Sequence, residues 1–237
     1  MNLDNITPAV KQLSIACVVL FVGTIIGEQT DRFNLFNILG LHYFTNDLFK
    51  PWQLITHMFM HGNLQHIIFN LFGLISLGMV LERFIGTKKF VQLYFFSGLG
   101  AILIHTFVQS FIIHQYTGMW IISESDFPFI ESRINEVSKL REIGGYYFSN
   151  MVGASGCIYG VAVAYTFLFP NTEMMLMFIP VPIKAKFLIP GILIVDLFMG
   201  ISRFEGDSTA HFAHLGGALF GFALTYYWRK FDKRNFY

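Results

Sequence analysis

The polarity pattern along the chain is a series of long apolar runs separated by short polar or charged breaks, not the alternation of half-buried elements. Runs of roughly 20 apolar residues suit helices that cross a hydrocarbon core. Turn residues and charges delimit six of them, at about 10–27, 55–82, 90–114, 152–169, 187–201 and 209–228. The fifth is short for a span, which predicts a tilted or partly water-facing element. In the long segment before the fourth, Ile130, Ile134, Val137 and Leu140 share one helical face, so Phe129 to Glu142 is expected to form one short amphipathic interfacial helix. No repeat is visible, and residues 1–237 are read as one domain.

Composition agrees with that pattern. Of the 237 residues 54% are hydrophobic and 13% charged, with 28 Phe and a mean hydropathy of +0.54. Soluble domains carry about 25% charged residues, so the class is an all-α, polytopic membrane protein. Nothing in it suggests a nucleic-acid partner. Leu13 to Ile26 reads as a first span and not as a removed leader, because no basic start and small-residue cleavage site surround it. Cys17 and Cys157 both lie in apolar runs and imply no disulfide framework.

Charge sets the expected orientation. Lys11, Arg83, Lys88, Lys89, Lys184, Lys186, Arg229, Lys230, Lys233 and Arg234 fall at the termini and the even-to-odd turns; Arg32, Lys50, Arg133, Lys139, Arg141 and Arg203 fall on the opposite loops. Acids, among them Glu28, Glu142, Glu205 and Asp207, crowd those opposite loops. The positive-inside rule then places both termini in the cytoplasm.

Ionisable residues inside spans are costly and mark candidate function. The second run opens with "THMFMHGNLQHIIFN", giving His57, His61, His66 and Asn70; the fourth with "GASGCIYG", giving Ser155 and Tyr159; the sixth with "AHFAHLGGALFG", giving His211 and His214. All three runs start on one side, so His66, Ser155 and His214 are expected at similar depth. Gly156 with Gly160, and Gly217 with Gly221, form small-residue ridges that let two helix backbones meet. A serine needs a base to take its proton, and acyl transfer needs donors at the oxyanion. His214 could supply the first; His66, Asn70 and the Ser155 N–H could supply the second. Taken singly, a membrane serine bonds a carbonyl one turn back, and His57 with His61 could equally be metal ligands or caps. A histidine-lined transporter also stays open.

The three motifs in this order resemble those of the rhomboid intramembrane serine proteases, over about residues 10–230. The resemblance implies a six-transmembrane-helix rhomboid-like bundle, multi-pass in a bacterial inner membrane. It implies a Ser155–His214 dyad cutting peptide bonds in or near transmembrane segments of other membrane proteins, without metal or cofactor. It assigns His66 and Asn70 to the oxyanion and Tyr159 to packing on the catalytic imidazole. Gly153 and Gly156 frame the serine, and His61 ties down the first loop. Glu82 and Arg83 close the second span. Gln53 stands where the family commonly has arginine, which puts that guanidinium's loop contacts in doubt. An inactive, helix-binding relative is the alternative function. Asp196 has no place in the dyad: it is expected to bond a neighbouring helix or to line a gate, with His211 a hydrogen-bonding neighbour. Cys157, about 200° round the helix from Ser155, is not expected to replace it as nucleophile.

Overall fold

The structure, a computed structural model, describes residues 5–176, 179–202 and 210–231. Arg203, Glu205, Asp207, Lys233, Arg234 and the first residue of the sixth predicted span lie outside the described residues. Six longer helices correspond to the six runs: α1 Pro8–Thr30, α4 Leu64–Ile85, α5 Thr87–Thr117, α8 Ser155–Leu168, α9 Ala185–Ser202 and α10 His211–Phe231. Shorter helices α2 Leu35–Leu39, α3 Gln53–Thr56, α6 Phe127–Arg133 and α7 Val137–Phe148 occupy the connections. Four helices, α1, α4, α5 and α9, are long and apolar enough to cross a membrane. α8 is apolar but has 14 residues, about 21 Å against a hydrocarbon core of about 30 Å.

Two expectations are corrected. The second run does not form one helix from 55: α3 and a 3-10 turn at His57–Phe59 precede it, and α4 starts at Leu64. Asn63 causes this start, because its extended backbone and side-chain oxygen cap the His66 N–H at 2.8 Å. Nor is Phe129 to Glu142 one helix. Ile134 and Glu136 are extended, so α6 stops at Arg133 and α7 begins afresh. The helical phase resets there: Ile130 is buried but Val137 is 68% exposed. These short helices enclose their own small core of Ile113, Ile122, Ile130, Ile143 and Tyr147 with Tyr43 of the first loop.

Two small antiparallel β pairs interrupt the all-α expectation. β3 Glu173–Leu176 and β4 Ile179–Lys184 form a hairpin between α8 and α9. β1 Leu41–His42 pairs with β2 Asn150–Met151, tying the first loop to the segment just before Ser155. Polar side chains lock that loop. Gln53, wholly buried, donates to the carbonyls of Leu48 at 2.8 Å and Asn37 at 3.2 Å. Its Oε1 accepts from the Lys50 N–H at 3.1 Å. An amide therefore makes the loop-carbonyl contacts left in doubt by the missing arginine.

Two further polar devices fix the helices. At the other end of α4, buried Glu82 accepts from the Ala9 and Val10 N–H groups at 2.9 and 3.0 Å and from Thr87 Oγ1 at 2.8 Å. It thus satisfies orphan donors of the α1 N-terminus, while Arg83 donates to the Asn5 carbonyl at 2.9 Å.

α10 packs chiefly against α5 and α8. Both glycine ridges lie in the α8–α10 contact. A Cβ at Gly217 would overlap the Gly156 carbonyl, and one at Gly221 would lie 2.5 Å from the Gly160 Cα. Gly160 is also pressed on Ser97 of α5. Gly217→Val is therefore expected to lower the thermal unfolding midpoint of detergent-purified protein by several degrees, since backbone cannot yield as a side chain can. Gly145→Ala, at a position with open space, is the control; equal midpoints for the two variants would contradict the close approach.

Candidate active site

Three helix beginnings meet at one end of the bundle. Ser155 is the first residue of α8, His214 lies in the first turn of α10, and His66 lies in the first turn of α4. Because α8 and α10 touch through glycine, the side chains that precede the ridge by a turn or less are brought together. Ser155 Oγ is 2.8 Å from His214 Nε2. The Tyr159 ring, one turn further along α8, stacks on the His214 imidazole at 4.2 Å and 11° between planes.

Hydrogen bonds fix the His66 tautomer. The Gly62 N–H donates to His66 Nδ1 at 3.4 Å, so in the neutral ring the proton sits on Nε2. That N–H faces the space beside Gly153. A Cβ there would lie 2.8 Å from His66 Nε2 and 3.5 Å from Ser155 Oγ. Gly153 has φ 135°, and its N–H donates to the His57 carbonyl at 2.9 Å. Backbone and missing side chain together leave a pocket between a hydroxyl and an imidazole N–H. α8 begins at Ser155 beside it, and the first N–H groups of a helix have no partner within that helix. Asn70, buried, donates one amide hydrogen to the His66 carbonyl at 2.9 Å and keeps a second.

His57 and His61 support this pocket from the segment before α4. The His57 Nδ1–H donates to the Gln53 carbonyl at 2.7 Å, and the His61 Nδ1–H to the Phe59 carbonyl at 3.2 Å. Burial pushes each imidazole down to about 4, so both are neutral near pH 7. His61 meets His66 edge-on at 5.1 Å. Cys157 points away from the site and is buried beside Met58.

Asp196, expected to bond a neighbouring helix or to line a gate, bonds two histidines of α10. Its carboxylate, on α9 and 6% exposed, lies 2.5 Å from His211 Nδ1 and 3.3 Å from His214 Nδ1. The cause is topological, since α9 antiparallel to α10 carries a mid-helix acid to the first turn of α10. Asp196 and Tyr159 also line a cavity of about 470 Å³ between α8 and α9. His105 of α5, within electrostatic reach of His214 and His57, was not singled out in the sequence. Its signal was available, as an ionisable residue inside an apolar run.

Among the described residues, Asp196, His211 and His214 form a group whose ligand atoms lie within 4.8 Å of one another. Two ligands on one tetrahedral zinc at 2.0–2.1 Å stand about 3.3 Å apart. The 2.5 Å contact of Asp196 with His211 is instead a hydrogen-bond distance.

The rhomboid domain model matches residues 48–231. The chain belongs to the rhomboid family. Similar curated proteins include the rhomboid protease GlpG of Klebsiella pneumoniae, 29% identical over 117 residues covering 49% of this chain and 38% of the relative. GlpG of Salmonella paratyphi A is 28% identical over 114 residues, 48% of this chain and 37% of the relative. An uncharacterized mitochondrial rhomboid protein of Schizosaccharomyces pombe is 25% identical over 207 residues, 76% of this chain and 52% of the relative. The chain thus aligns with about two fifths to one half of the length of these rhomboid relatives. The matched domain holds every residue of the Ser155 pocket described above.

The pocket beside Gly153 gives a local test. Gly153→Ala is expected to cut labelling of Ser155 by a fluorophosphonate at least tenfold and to lower the unfolding midpoint by a few degrees. Its methyl group fills the gap facing His66 and its φ is strained. Unchanged labelling would show that the gap is not used.

Proposed function

We propose that this rhomboid-family chain is an intramembrane serine endopeptidase acting on transmembrane segments of other proteins. The observation that carries the reading is the 2.8 Å contact between Ser155 Oγ and His214 Nε2 under a stacked Tyr159 ring. On this reading His214 Nε2 takes the Ser155 proton as Oγ attacks a peptide carbonyl. The oxyanion that forms sits in the Gly153 gap, receiving the His66 Nε2–H, a free Asn70 amide hydrogen and the Ser155 N–H. His214 then returns the proton to the departing amine. Water, giving a proton to the same imidazole, attacks the acyl carbonyl, and the ester bond to Ser155 breaks as the imidazolium returns that proton to Oγ.

The topology proposed with this activity has six spans, the four long apolar helices plus α8 and α10, in a single domain with both termini cytoplasmic. The site then lies near the external ends of α4, α8 and α10. The brevity of α8 supports this, because a helix of about 21 Å leaves its first residue short of the bilayer face, below a water-filled mouth. Substrates of such a site are membrane helices that unwind near it. This differs from the inactive, helix-binding alternative in requiring both the hydroxyl and the imidazole, which are present and in contact.

The test is cleavage of a generic transmembrane substrate by purified protein in proteoliposomes. Ser155→Ala and His214→Ala are each expected to lower kcat/KM by about 10³-fold or more, with chelators leaving the wild type unaffected. Cleavage surviving in either variant contradicts the dyad. A wild type that binds substrate but never cuts it supports the inactive alternative.

A further inference from the structure

We infer that the connection between α5 and α8 docks on the phospholipid surface through one edge, Trp120 and Ile121, at the headgroup boundary where α5 leaves the bilayer. The inference needs α5 to cross the membrane and goes beyond the protease reading. α5 is longer than a span requires. Its 31 residues rise about 46 Å, against about 30 Å of hydrocarbon. Counted from Phe90, the first apolar residue after Lys88 and Lys89, about 20 residues bring the chain to Gln109 and Ser110, where polar side chains return. Leu99, Leu103, Phe107 and Phe111 recur every four residues and are all exposed, so α5 turns one apolar stripe to lipid up to that boundary.

At the boundary the chain folds back along the stripe. Gly118 takes the left-handed conformation, φ 77°, that ends α5. Trp120 then stacks on His114 with ring centroids 4.2 Å apart and reaches Phe111 at 6.4 Å. Trp120 and Ile121 remain 50% and 57% exposed, while the next residue, Ile122, is wholly buried in the small core with Ile130 and Tyr147. The edge therefore extends the lipid-facing stripe and is held rigidly by the residue that follows it. The Trp120 indole N–H has no acceptor among the described residues, whereas that of Trp52 donates to the Ile38 carbonyl at 2.8 Å. An apolar ring with one unspent donor fits the level where acyl chains meet ester and phosphate oxygens.

The opposite side of the unit is polar. Tyr116, about 180° round α5 from Phe107, donates to Glu142 of α7 at 3.0 Å, and the Lys139 ammonium lies over its ring. α7 turns Ile143 and Tyr147 into the small core. The lipid contact expected of a Phe129 to Glu142 helix thus falls on Trp120 and Ile121 instead. The edge is also joined to the pocket. Thr45 of the first loop donates to the Ile122 carbonyl, and Asn46 to that of Tyr147 at 3.0 Å. The β1–β2 pair carries the join on to the turn at Gly153. An anchored edge ties the first loop and the Gly153 gap to the bilayer surface.

The experiment reads depth with a polarity-sensitive fluorophore on a single introduced thiol, Ile121→Cys, Leu99→Cys or Ser138→Cys, in phosphatidylcholine proteoliposomes. Cys17 and Cys157 are buried and stay unlabelled. All three positions are exposed, so unfolding midpoints in detergent should match the wild type and certify the fold. The lipids carry a nitroxide quencher either at the top of the acyl chain or near its methyl end. The probe at 121 is expected to be quenched at least about twofold more by the shallow nitroxide than by the deep one. The probe at 99, near the bilayer midplane, should show the reverse order, and the probe at 138 on α7 should be quenched by neither. A probe at 121 that emits as in water and escapes both nitroxides overturns the inference. So does one that emits as if buried yet escapes both, the sign of a second copy or another protein on the edge. Quenching at 138 as strong as at 121 would immerse the whole unit and refute a single docking edge. Ser155→Ala protein should give the same depths, so these outcomes are separate from the test of the dyad.

Discussion

The close approach of α8 to α10 is the constraint on which the site depends. Lipid tails are as apolar as leucine, so nothing expels these helices from the bilayer toward one another. Contact must be held by dispersion and hydrogen bonds, both steep in distance. Gly156, Gly160, Gly217 and Gly221 allow backbone to meet backbone, and a single Cβ at Gly217 would collide with the Gly156 carbonyl. The 2.8 Å Ser155–His214 contact lies at the end of that seam. A separation set by larger side chains would be wider by more than a hydrogen bond can bridge.

The second structural debt is owed to the first loop. Its β1 strand pairs with β2, three residues before Gly153 ends the turn into α8, and the His57 carbonyl holds the Gly153 N–H. Gln53 gathers the carbonyls of Leu48 and Asn37 beneath it. These contacts are polar, short-ranged and buried, the kind that break together. They fix the Gly153 gap from the first loop and the short turns that follow it.

Much of this was legible in the sequence because periodicity and polarity carry it. The six helical runs, the glycine ridges and the convergence of His66, Ser155 and His214 follow from spacing and from the cost of polar groups among apolar ones. What was not legible depends on local capping and on loop closure. Asn63 moved the start of α4 through one hydrogen bond, and the extended Ile134 and Glu136 split the 115–150 segment. Gln53 read as a departure and turned out to carry the loop. Asp196 was conspicuous as an acid, but its partner depends on how α9 turns back onto α10. No motif spacing encodes that.

The two histidines of α10 show why an acid can sit here at all. A carboxylate alone among apolar helices costs several kcal/mol even after relaxation. Two Nδ1–H donors on one face of α10 offset much of that, being one turn apart at His211 and His214 and therefore aimed at the same point on α9. The arrangement is asymmetric in consequence. His211 Nδ1 lies 2.5 Å from Asp196, whereas His214 divides its ring between Asp196 at 3.3 Å and Ser155 at 2.8 Å. The closer pair anchors and the looser pair retains freedom. A base that must accept and return a proton within one cycle is better served by the second condition than by the first.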